Sequence, residues 1–211
     1  MRALLGIIAG LLVADALRNT VSFVMANPRV PQTWANFLVA LAAMIFVTRV
    51  VIDNVLYYSD VDIDTIYSDY WTRVLLILLD LASYSFCYAI VARFTFSTPS
   101  NISRGAARWM LWYATAVEIL HFFWCLIAVT CLHIKQAVDK ETRRPWLRKW
   151  LALSATWSVF GLGASIWGYS LPNGSEPVTL AFGYTFFIVS AVAAFSYVAF
   201  MKNDYERHRA A

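Results

Sequence analysis

The sequence predicts an all-α, polytopic membrane protein of six transmembrane helices, in which spans one to four form a bundle around a polar centre and spans five and six serve as packing helices. Three observations carry that expectation. The 211 residues have a mean hydropathy of +0.59 and only 14% charged side chains, far from the balance of soluble domains. Apolar stretches at about residues 3–25, 34–58, 70–95, 107–133, 149–170 and 178–201 each reach the roughly 20 residues that a helix needs to cross a hydrocarbon core about 30 Å thick. All six prolines, at 28, 31, 99, 145, 172 and 177, fall between these stretches or at their edges, as expected of a residue that lacks an amide donor and clashes inside a helix. The stretches take up most of the chain, so residues 1–211 read as a single transmembrane domain with no separate soluble domain.

Span one opens with MRALLGIIAGLLVADA, which has the layout of a signal peptide: Arg2, an apolar run, and small residues at Ala14 and Ala16. Because apolar character resumes through Met25, the segment is expected to stay as a span. Asp15 falls near its centre, with Arg18 one turn toward the outside on the same helix face. Span two carries Arg49 and Asp53 one turn apart in its inner half. Both helices thus hold an acid and a base at pairing distance within one segment.

The connection to span three reads YSDVDIDTIYSD. Asp60, Asp62 and Asp64 alternate with Val61 and Ile63 at period two, which puts the acids on one side of an extended segment; Ser68 or Asp69 is the expected cap of span three. The acids resemble the start of a calcium loop, but Thr65 and Trp71 stand where its glycine and bidentate glutamate belong, which argues against an EF-hand and leaves a weaker divalent-ion site as an alternative. The strip fits a solvated turn, a partner for the basic loop, or the vestibule of an ion path.

Span three places Asp80 near mid-depth, followed on one stripe by Ser83 or Tyr84 and Cys87 or Tyr88. In span four Thr115, Glu118 and His121 follow at three-residue steps, with Tyr113 nearby. A charge at the bilayer centre costs about 2.5–3.5 kcal/mol on insertion scales, so such residues usually face a bundle interior or water. If Asp15 pairs with Arg18 and Arg49 with Asp53, then Asp80 and Glu118 are left with His121 alone. That excess of acid could hold neutral acids, shuttle protons or bind a cation.

Spans five and six have no deep ionisable residue. Gly161, Ala164, Ser165 and Gly168 instead give two overlapping small-xxx-small pairs, and Ser190 with Ala194 gives another, which suits close helix packing within the chain or between chains.

Orientation follows Lys and Arg in the connections. One face holds Arg2, Arg73, Lys135, Lys140, Arg143, Arg144, Arg148, Lys149, Lys202, Arg207 and Arg209, and the other only Arg29, Arg93, Arg104 and Arg108. A multi-pass protein of the cell membrane with both termini cytoplasmic is expected. The basic connection between spans four and five, residues 133–150, ends in Trp146 and Trp150, a pattern suited to retention inside with tryptophans at the headgroups, and also to anionic lipid or an acidic protein segment.

No cofactor, metal centre or catalytic residue is expected. Cys87, Cys125 and Cys131 form no Cys-x-x-Cys pair and read as packing residues. His121 and His133 lie about 18 Å apart on one helix, too far to share a haem. Glu118-x-x-His121 is one copy of a spacing that carboxylate-bridged metal bundles use twice. Phosphate loops, hydrolase elbows and His-Glu-x-x-His are absent, and no span repeats the basic residues of a voltage sensor. The leading expectation is conduction or translocation of a cation or proton through mid-membrane acids, in a homo-oligomer surrounded by lipid and without nucleic acid. The alternative is a membrane sensor, anchor or effector subunit that binds a protein partner through charged cytoplasmic loops. A membrane enzyme centred on Asp15, Asp80, Glu118 and His121 ranks third.

Overall fold

The computed structural model describes residues 7–8, 10–15, 17–18, 21–22, 41–52, 70–96, 104–131 and 137–170, together with positions 188, 191–192, 195–196 and 199. All of these except Cys131 are helical. The continuous helices are α1 (Leu41–Ile52), α2 (Tyr70–Phe96), α3 (Arg104–Thr130) and α4 (Ala137–Ser170). Three of them, over Tyr70–Ala92, Arg108–Thr130 and Leu147–Ser170, are long and apolar enough to cross a membrane. They support a membrane protein whose described residues are almost entirely helical, and they coincide with the third, fourth and fifth expected spans. The stretches at 3–25, 34–58 and 178–201 fall only partly on described residues, 34–58 contributing α1.

Local sequence supports the helices. Throughout the 27 residues Tyr70–Phe96, α2 has neither glycine nor proline, the two residues that most weaken a helix interior. At the end of α3, the Thr130 hydroxyl donates to the carbonyls of Leu126 (2.8 Å) and Ile127 (3.2 Å), and the Cys131 amide donates to Ile127 (2.8 Å). The hydroxyl thus adds a local side-chain bond to carbonyls at i−3 and i−4 in the last turn.

The start of α4 corrects the sequence reading. The basic connection was expected as a loop with Pro145 at a helix edge, yet α4 runs unbroken for 34 residues with Pro145 inside it. At 1.5 Å per residue it is about 50 Å long, well beyond a hydrocarbon core of about 30 Å. The apolar window begins only at Leu147, so the freed Glu141 carbonyl and the exposed Pro145 lie on the polar side of the span, where water can replace the lost hydrogen bond. Proline thus marks the edge of the span without ending the helix.

Short links fix the topology. A parallel arrangement of α2 and α3 would require residues 97–103 to run back along a helix of about 40 Å, and seven residues reach only about 25 Å. The two helices are therefore antiparallel. The same holds for α3 and α4, whose contacts step in opposite directions: Arg108 meets Gly168, Thr115 meets Ser165, and Cys125 meets Ser154. Accordingly α3 is the central helix, packed on α2 and on α4.

The core gathers Val47 and Val50 of α1, Leu76 and Ile90 of α2, and Met110 and Val117 of α3, all fully buried. Outward faces remain apolar, with Leu78, Tyr88, Phe123, Val159, Phe160 and Ile166 exposed. Exposed apolar surface on this scale suits lipid contact. In lipid, apolar burial does not hold helices together as it does in water, so close packing and interhelical polar contacts have to supply the association.

Candidate functional site

The polar centre forms where α1, α2 and α3 meet. Asp80 is the eleventh residue of the window Tyr70–Ala92 and Glu118 the eleventh of Arg108–Thr130. Each is about 15 Å from the start of its span, and because the helices are antiparallel the two acids lie at nearly the same depth. Both are buried, Asp80 at 2% exposure and Glu118 at 5%. On α2, the side chains of Ser83, Tyr84 and Cys87 continue the buried stripe and Tyr88 is exposed, so Ser83 and Tyr84 both belong to it and Cys87 is chosen over Tyr88.

Glu118 is paired with Arg49. The Nη2 group of Arg49 donates to Glu118 Oε1 across the α1–α3 contact, and both side chains are buried. The guanidinium also lies 4.9 Å from the centre of the Phe46 ring, one turn away on α1. Arg49 thus reaches across to another helix, where a buried carboxylate without a cation would be costly, a contact the spacing along α1 did not predict. Asp53 itself lies outside the described residues. His121, one turn beyond Glu118 and also buried, is close enough to Arg49 to feel its charge, and so is Cys87.

Thr115 goes a different way. Three residues on a helix turn through about 300°, so Thr115 and Glu118 point about 60° apart. That difference turns Thr115 toward α4. Its hydroxyl donates to the Leu111 carbonyl at 2.9 Å and meets Ser165 Oγ at 2.8 Å, all buried. With one proton on each hydroxyl, a donating Thr115 accepts from Ser165. The small residues of α4 face the same seam: a Cβ added at Gly161 would sit 3.1 Å from Thr115 Oγ1, and the Gly168 carbonyl accepts from Arg108 Nε at 3.0 Å, with Arg108 also lying over the Tyr169 ring. The small-residue surface of the fifth span is thus used inside the chain.

Asp15 and Arg18 do not join the polar centre. Both side chains are exposed, and no ion pair links them. The expectation that they form a neutralised pair at the depth of Asp80 and Glu118 is corrected: i,i+3 spacing sets a common helix face, and that face turns outward. Asp60, Asp62, Asp64, Asp69 and Lys135 lie outside the described residues. Lys140, Arg143, Arg144, Arg148 and Lys149 all lie on α4, with Arg148 and Lys149 exposed.

Sequence reasoning missed the buried hydroxyls of Ser154 and Ser165, which pair with Cys125 at 3.8 Å and with Thr115. A serine recurring on the small-residue face of an apolar helix was the available signal. Among the described residues, no three His, Cys, Asp or Glu side chains are grouped to hold a metal ion. Comparison of the chain with protein-family models, curated proteins and solved structures finds no match in any of the three.

Proposed function

We propose that the chain translocates a proton or small cation across the cell membrane, through six spans with both termini cytoplasmic, using Glu118, Asp80 and His121 as the acid–base groups. The observation that supports this reading best is the buried Arg49–Glu118 pair bridging α1 and α3 at mid-depth, with a second buried acid on α2 and a buried imidazole on α3. Ionisable groups at that depth are expensive and concentrate on ion and proton pathways. An ion pair between helices also offers a switch. A proton delivered to Glu118 neutralises the carboxylate and releases the guanidinium, and loss of that proton toward the opposite face restores the pair. His121, one helical turn from Glu118, is positioned to pass the proton on.

The test is flux in liposomes reconstituted with wild type, Asp80→Asn and Glu118→Gln. Wild-type vesicles are expected to dissipate a proton or cation gradient, and Glu118→Gln to lose at least tenfold of that rate. Absence of wild-type flux under every ionic gradient would end this reading.

A second reading, a sensor, anchor or effector subunit with structural inner charges, draws support from α4. Its basic segment continues the span as one helix, a rigid element projecting from the membrane. Under that reading, Asp60→Asn/Asp62→Asn/Asp64→Asn abolishes capture of a protein partner while no vesicle flux is seen with any variant.

A further inference from the structure

We infer that the first span pairs with the same span of a second copy of this chain, through reciprocal Asp15–Arg18 ion pairs about a two-fold axis along the membrane normal. The evidence is the outward face of the first span. Leu11, Asp15, Arg18 and Ser22 are all exposed, at spacings of four, three and four residues, the repeat by which a helix presents one continuous seam to a partner helix. The side that packs inward is centred about a quarter-turn round the helix from this seam, with Leu12 buried and Ile8 and Val13 against the core.

An exposed acid and an exposed base near the middle of an apolar helix are costly against lipid, and no described residue of the same chain neutralises either one. They do not neutralise each other within the helix. Across a two-fold axis they would. Two copies share one membrane orientation, so their first spans run parallel, and Asp15 of each lies about 4.5 Å along the axis from Arg18 of the other, within reach of an arginine side chain. The seam is thus complementary to itself. A partner with two acids or two bases would leave one charge unmet, which favours a second copy over another membrane helix. This inference is independent of transport.

The experiment uses the full-length chain in liposomes at high lipid-to-protein ratio, with stoichiometry read by single-molecule photobleaching and by co-purification of two tags. Wild type is expected to bleach in two steps and to co-purify. Asp15→Arg alone and Arg18→Asp alone bring like charges together and are expected to be at least tenfold depleted in dimer, whereas co-expressing these two variants restores a mixed dimer. Should either single variant misfold, Ser22→Cys in a chain with Cys87, Cys125 and Cys131 replaced by Ala gives a second readout: oxidation is expected to link Ser22→Cys chains and not Val13→Cys chains. A monomeric wild type, single variants that dimerise like wild type, or cross-linking only to a different protein would each overturn the inference.

Discussion

Arg49 and Glu118 are not equivalent members of their pair. A glutamate left alone in a buried site can shed its charge by taking a proton, whereas a guanidinium cannot shed its own. Glu118→Leu is therefore predicted to cost about 3–5 kcal/mol, the usual penalty for stranding a buried charge, and Arg49→Met measurably less. The double variant, with both charges replaced by apolar groups, should recover most of the loss. Unfolding of the purified protein in mixed micelles checks all three, and strictly additive losses would show that the two side chains are not coupled. The pair also marks a limit of sequence reading at this scale. Helix periodicity placed Arg49 near Asp53 and left Glu118 beside His121, because spacing reports neighbours along one helix and carries no information on which face of another helix lies opposite. What did come through was depth, since counting residues along spans located Asp80 and Glu118 at the same level.

Between elements, the α3–α4 seam is held by close approach and by hydroxyl contacts, the two devices that work in lipid. Gly161 and Gly163 are two residues apart on α4 and should respond oppositely to the same change. At Gly161 an added methyl would meet Thr115 Oγ1 at 3.1 Å, and that oxygen is itself held by Leu111 and Ser165. Gly161→Ala is predicted to destabilise by about 1–3 kcal/mol, as for overpacking in a tight core. A methyl at Gly163 meets nothing within 4 Å, so Gly163→Ala is predicted to be neutral or to stabilise by up to about 1 kcal/mol through helix propensity. Thermal unfolding in detergent separates the two, and equal responses would remove the seam from this account. The small-residue surface was readable from the spacing of residues 161, 164, 165 and 168, whereas its partner was not, since such a surface packs equally well against the chain's own helix or another copy. The helical form of the basic segment was missed for a simpler reason. Pro145 was taken to end a helix, but a proline on the water side of a span leaves a carbonyl that water can satisfy.

For the whole molecule, the described helices and the full sequence make different statements about crossing number, and parity decides between them. If only the three spanning helices cross, the segments before Tyr70 and after Ser170 lie on opposite sides of the membrane. If the stretches at 3–25, 34–58 and 178–201 also cross, the total is even and the termini share a face, which the Lys and Arg of the connections predict to be cytoplasmic. Antiparallel packing ties the helix ends to this scheme: Phe96 and Arg104 share one end of the bundle and Thr130 and Ala137 the other in either case, so these ends orient the bundle while the termini count the crossings. With the three cysteines replaced by Ala, Ser100→Cys and Asn27→Cys are predicted to react with a membrane-impermeant maleimide in intact cells. Gln136→Cys and a cysteine added at either terminus are predicted to react only after permeabilisation. Termini on opposite faces would reject six crossings. Reaction of Gln136→Cys from outside, with Ser100→Cys protected, would invert the molecule and put the basic start of α4 outside the cell, where anionic cytoplasmic lipid could no longer hold it.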